Sequence, residues 1–102
     1  VNKAQKKKRH QWTEKEWLYC LYIAKYVPNE WNDFIRRNRI DVRIYGREGE
    51  VASVRMGCEN FRYLLTQGKK GLKNVSNLQK KVFNNYENWS NAELHKILFQ
   101  ES

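Results

Sequence analysis

The sequence predicts an all-α domain: a three-helix bundle with a long loop insertion, followed by a C-terminal helical extension. Three observations predict it. Reciprocal capping signatures recur at Thr13-Glu14-Lys15-Glu16, Ser76-Asn77-Leu78-Gln79 and Ser90-Asn91-Ala92-Glu93. In each, the leading hydroxyl accepts from the backbone N–H three residues on, and the Glu or Gln side chain accepts from the backbone N–H of the leading residue. From Val51 onward, Val54, Cys58, Phe61 and Leu65 fall with Val51 in one sector about 80° wide at helical spacing. Residues 39–49 break this helical period.

Trp12 and Trp17 bracket the first capping box as a hydrophobic staple, so helix one starts at residue 14 and runs to about 26. Trp17, Leu18, Leu21 and Ala24 make its core stripe, with Cys20 beside it. Pro28 stops it, and Asn29 is positioned to cap a shorter second helix carrying Trp31, Phe34, Ile35 and Asn38. In residues 39–49, Ile40, Val42 and Ile44 alternate with Asp41, Arg43 and Tyr45. That pattern suits a short β-excursion before Gly46 and Gly49 turn the chain, with one face packed and Arg43 and Arg47 exposed. Helix three runs from Val51 to about Thr66 and ends at Gly68 and Gly71. A helix from Ser76 carries Leu78, Val82, Phe83 and Tyr86. Another from Ser90, stapled by Trp89 and Leu94, carries Ile97 and Leu98. Residues 89–94 echo residues 12–17, so this segment is either the start of a second repeat or an extension packed on the first three helices. The apolar residues that need a surface favour the extension. The chain therefore divides into a basic tail (1–11), a three-helix domain (12–66, with 39–49 inserted) and the extension (67–102).

The net charge of +9 is unevenly spread. Residues 1–11 carry +5, residues 12–35 carry −2, residues 36–73 carry +6, and residues 74–102 are neutral. Clustered basic charge is the footprint of a polyanion partner, although Lys6 to Arg9 alone would serve as a nuclear localisation signal or a solvated tail. No apolar run is long enough to cross a bilayer. Val1 opens a polar tail without an initiator Met, as in a piece of a longer protein. Cys20 and Cys58 lie in apolar helical patterns and read as free buried thiols. With His10 and His95 they give no metal-ligand spacing. Gly46-Arg47-Glu48-Gly49 is too short and too charged for a phosphate-cradling loop and reads as a turn. No nucleophile–base set or carboxylate pair is present, so neither an enzyme, a cofactor nor a small-molecule substrate is expected.

Trp12-Thr13-x-x-Glu16 at the start of helix one, Trp31-x-x-Phe34-Ile35 on helix two and Cys58 to Leu65 on helix three together resemble the Myb/SANT family. Phe61 stands in place of that family's third tryptophan. The resemblance covers about residues 10–66. It implies a helix-turn-helix variant with three aromatics packed in one small core. From Trp31 to Phe61 there are 29 intervening residues, against 18 between Trp12 and Trp31, so about ten residues are inserted between helices two and three.

In DNA-binding members helix three enters the major groove. The resemblance thus implies a nuclear transcription or chromatin protein that contacts duplex DNA through its basic arm, inserted loop and helix three. Lys6, Lys7, Lys8 and Arg9 would lie along the backbone or a groove. Arg36, Arg37, Arg39, Arg43 and Arg47 would hold phosphates, and Arg55 and Arg62 would approach bases. Met56, Glu59 and Tyr63 are the other outward residues of helix three, and they suit base edges or a protein partner. The partly apolar character of that face supports the alternative of a SANT-type interaction module in a chromatin or transcription complex.

Overall fold

The computed structural model describes residues 10–27 and 29–100. Lys6, Lys7, Lys8, Arg9 and the expected stop at Pro28 lie outside the described residues. The described chain is all-helical, without strands. Its helices are α1 (Glu14–Tyr26), α2 (Trp31–Arg37), α3 (Ile40–Tyr45), α4 (Val51–Leu65), α5 (Asn77–Tyr86) and α6 (Asn91–His95). The last winds on as a π-helical turn, Lys96–Gln100.

All three capping boxes form. Thr13, Ser76 and Ser90 each accept from the backbone N–H three residues ahead, and Glu16, Gln79 and Glu93 each accept from the cap's own N–H. These bonds close within four residues, so local sequence suffices to start α1, α5 and α6.

α1 is the central element and packs against every other helix. Leu18, Tyr19, Cys20, Leu21, Tyr22 and Ile23 are all buried, so this helix is covered nearly all round and not along one stripe. One side of it meets α4, where Val54, Cys58 and Phe61 are fully buried. Gly57 permits the approach: a methyl added there would stand 2.9 Å from Cys20 Sγ and 2.9 Å from Trp17 Cζ3. Trp12 stacks on Trp17 at 3.8 Å between ring centroids, and Trp17 meets Phe61 edge-on at 6.2 Å. Trp31 is only 8% exposed and belongs to the same core.

The tyrosine side of α1 receives the C-terminal helices. Tyr19 Oη donates to the Leu98 carbonyl (3.0 Å), Tyr22 Oη to Asn91 Oδ1 (2.8 Å) and Tyr26 Oη to the Trp89 carbonyl (2.6 Å). Lys25 Nζ donates to the Glu87 carbonyl. Leu94 and Leu98 are buried beneath these bonds, so residues 77–100 share the core of α1.

Two local expectations are corrected. The β-excursion at 39–49 is instead α3 followed by a turn. Ile40, Val42 and Ile44 satisfy a two-residue period, but Ile40 and Ile44 are also one helical turn apart. Only the helix buries both of these while leaving Val42 half-buried. Gly46, at a left-handed φ of 75°, closes α3, and its N–H donates to the Val42 carbonyl. The buried Asp41 carboxylate accepts from Val42 N–H (3.0 Å) and Gly49 N–H (3.1 Å), tying the turn back onto α3. Asn29 does not cap α2 either. α2 begins at Trp31, one residue later than an Asn29 cap requires, so the cap position is Glu30, left-handed at φ 63° and with no side-chain cap bond.

Candidate nucleic-acid interface

Arg39 sits at the corner between α2 and α3 with φ 52°, in the left-handed region where a Cβ crowds the following carbonyl. The corner throws the arginines of α2 and α3 onto a common surface. Arg37, Arg39 and Arg43 line one open cleft with Asn38 and Val42, and no carboxylate lines it. Arg37 is held only by a 3.5 Å bond from Nε to the Asp33 carbonyl. Arg39 reaches Glu48 at 3.7 Å across solvent, with both side chains largely exposed. Arg36 lies round the corner with Arg39, Asp41 and Glu48, and stands 4.0 Å from Asp33.

Arg43 is the anchored member. Its guanidinium donates to the Asn38 carbonyl (3.1 Å), to Tyr19 Oη (3.1 Å) and to the Leu98 carbonyl (3.4 Å). It also lies over the Phe99 ring at 5.1 Å and the Tyr19 ring at 5.8 Å. Helix-terminal carbonyls lack intrahelical donors, and here Tyr19 and Arg43 supply them. The C-terminal turn therefore holds an arginine of the inserted segment.

His10 brings the start of the described chain against the end of α3. His10, the first described residue, packs against Tyr45 at 4.5 Å and against Trp12 at 5.6 Å, and its Nε2 lies 3.0 Å from Glu16 Oε1. Arg47 lies over the other partner of that contact, the Tyr45 ring, at 5.5 Å while pairing with Glu50 at 2.6 Å. Burial pushes the Tyr45 phenol above its ordinary value of 10.

The α4 residues stand elsewhere. Arg55 and Arg62 line a separate cleft with Trp31, Glu30 and Asp33. Arg62 pairs with Glu59 at 3.2 Å and lies over the Trp31 ring at 5.3 Å, so its guanidinium is committed within the fold. Met56 is 59% exposed. Residues 66–72 fold back over the far end of α4: Leu72 N–H donates to the Glu59 carbonyl at 3.2 Å, and Gly68 lies against the Tyr63 ring. A Cβ at Gly71 would stand 2.3 Å from the Glu59 carbonyl oxygen, so the loop backbone rests directly on the helix.

Sequence reasoning missed Tyr19, Tyr45, Leu72, Leu98 and Phe99 as parts of these surfaces. Tyr19, Tyr22 and Tyr26, spaced along one side of helix one, were the available signal for a second packing face. Leu72, in a glycine-rich loop, carried none. Among the described residues no group of three His, Cys, Asp or Glu is placed to hold a metal ion. No helix there is long and apolar enough to cross a membrane.

No protein-family model, curated protein or solved structure matches this chain.

Proposed function

We propose that this chain is a DNA-binding, Myb/SANT-like module of a nuclear transcription or chromatin protein, holding duplex DNA by its phosphates. In this reading α1, α2 and α4 correspond to the family's three helices, and α3 occupies the insertion. The buried Trp31 and Phe61, with Trp12 stacked on Trp17, support that correspondence. The observation that carries the function is the cleft lined by Arg37, Arg39 and Arg43 without a carboxylate. Arg36 lies round the corner from it, and the chain also carries a tail rich in lysine. A cleft whose charged lining is arginine alone draws a polyanion. Guanidinium forks suit phosphate oxygens, and these contacts give affinity without reading sequence.

The test is an anisotropy titration on random-sequence duplex DNA at several salt concentrations. The logarithm of affinity should fall with the logarithm of salt by about 0.9 for each neutralised phosphate. Deleting residues 1–9, or replacing Arg43 and Arg47 by Ala, should each flatten that slope. A folded wild-type domain that binds no DNA at low salt refutes the reading.

A further inference from the structure

Met56 and Leu72 are the only large apolar side chains that the described residues leave strongly exposed, at 59% and 42%. They are not scattered. With Ala52, Arg55, Glu59 and Gly71 they line one groove of about 470 Å³ between α4 and the loop that follows it. Ala52, Met56 and Glu59 lie at helical spacing on one side of α4, spanning about 10 Å of its length. The opposite wall is built. Gly71, left-handed at φ 92°, lets the loop backbone sit on α4, and the Leu72 N–H bond to the Glu59 carbonyl holds it there. Thr66 Oγ1 accepts from Lys70 N–H at 3.0 Å and braces the same turn. Leu72 is thus kept in the open by a structured loop, and the C-terminal helices, which pack on α1, leave it uncovered.

The surroundings of the groove are cationic. Arg55 forms part of its lining, and Lys69, Lys70 and Lys73 flank Gly71 and Leu72 along the chain, exposed and without a carboxylate partner among the described residues. The one acid in the lining, Glu59, is paired with Arg62. Duplex DNA gains nothing from an apolar floor, and a second copy of a chain with net charge +9 would be repelled.

We propose that this groove docks a partner protein's short amphipathic helix, with two or three apolar residues on Met56 and Leu72 and Asp/Glu residues facing Arg55 and the lysines. This is helix-in-groove recognition with the charge of the rim selecting the partner. It uses a different surface from the arginine cleft and stands or falls independently of DNA binding.

The experiment uses a fluorescein-labelled synthetic helix with Leu at successive i, i+3 and i+4 positions and Glu between them. Two comparison peptides carry Lys for Glu, or Ala for Leu. The first peptide should bind saturably, and both comparison peptides should bind at least about tenfold more weakly. Met56→Gln and Leu72→Gln should each weaken binding about fivefold while leaving random-duplex affinity within about twofold. Amide shifts of the wild-type domain on peptide addition should centre on residues 52–59 and 69–73, a readout that needs no variant. Absence of binding, equal binding of the Ala peptide, or shifts centred elsewhere would overturn the proposal. So would a parallel loss of DNA affinity in the Met56 and Leu72 variants, which would make the groove part of a nucleic-acid surface.

Discussion

Arg39→Gly should make the domain more stable and, on the proposed DNA-binding reading, weaken duplex affinity. Arg39 occupies the left-handed region at φ 52°, which costs a residue with a Cβ about 1–2 kcal/mol. Glycine removes that strain but adds roughly 0.5–1 kcal/mol of freedom to the unfolded chain. The lost contact with Glu48, 3.7 Å long between side chains 64% and 77% exposed, is worth at most a few tenths of a kcal/mol. The balance is a gain of about 0.5 kcal/mol, or a rise in melting temperature of roughly 2–4 °C. Arg39→Ala is the necessary companion. It removes the same charge and keeps the strain, so the two variants should differ by about 1 kcal/mol in urea denaturation followed by tryptophan fluorescence. Both should lower the salt dependence of duplex binding equally, by about 0.9 in log–log slope. An arginine held at a strained corner where glycine fits better is what a functional requirement for its charge would leave. Equal stability of the Gly and Ala variants would remove the backbone argument. An unchanged slope in both would place Arg39 outside the DNA surface.

Arg43→Ala should act in the opposite direction on stability, losing about 1–3 kcal/mol by the same urea assay. It strips the Leu98 carbonyl and Tyr19 hydroxyl of a charged donor and removes the packing on Phe99. Gly57→Ala should also destabilise, by about 1 kcal/mol. The added methyl would meet Cys20 Sγ and Trp17 Cζ3 at 2.9 Å, and this overpacking outweighs the helix-propensity gain of roughly 1 kcal/mol. Burial first, and the neighbouring Cys20 thiol second, push the Cys58 thiol well above its ordinary 9.0. The unfolded chain therefore releases that proton first, and stability should fall as pH rises past about 9, by up to 1.4 kcal/mol per pH unit. Cys58→Ala should remove that part of the slope in denaturation curves measured between pH 8 and pH 10.

The features legible in sequence were those whose hydrogen bonds close locally. Thr13, Ser76 and Ser90 start their helices through partners three residues away, and the α4 stripe repeats over four turns. α3 was not legible because Ile40 and Ile44 obey both the strand and the helix period. The choice falls to α1 and α4, against which they are buried. The left-handed cap at Glu30 likewise makes no side-chain cap bond that a local pattern could report. Of the candidate site, the arginines themselves were legible and their grouping was not. Arg43 is held by groups 24 and 55 residues away, and Arg62 turns back on Trp31 across a separation that no local pattern reports. In sequence Gly71 reads as a helix stop. Its larger consequence, backbone resting on backbone at Glu59, needs the loop to double back.

That doubled-back loop bears on how DNA would be held. A helix that reads bases must present its outward side chains to the floor of the major groove, with nothing between them and the base edges. On α4, the carbonyl of Glu59 is already in contact with Leu72 and Gly71, the Tyr63 ring lies against Gly68, and Arg62 is spent on Glu59 and Trp31. Tyr63 is thus engaged from the loop side, and Arg62 would have to leave Glu59 and Trp31 to reach a base. The arginines of α2 and α3 face no such obstacle, because their cleft is open and Arg37 and Arg39 have only weak partners. On the proposed reading, affinity and selectivity therefore reside in different parts of the molecule. Phosphate contacts from the tail and the α2–α3 corner would supply binding that is strong at low salt and nearly indifferent to sequence. Choice of target would fall to whatever protein seats its acidic helix between Met56 and Leu72.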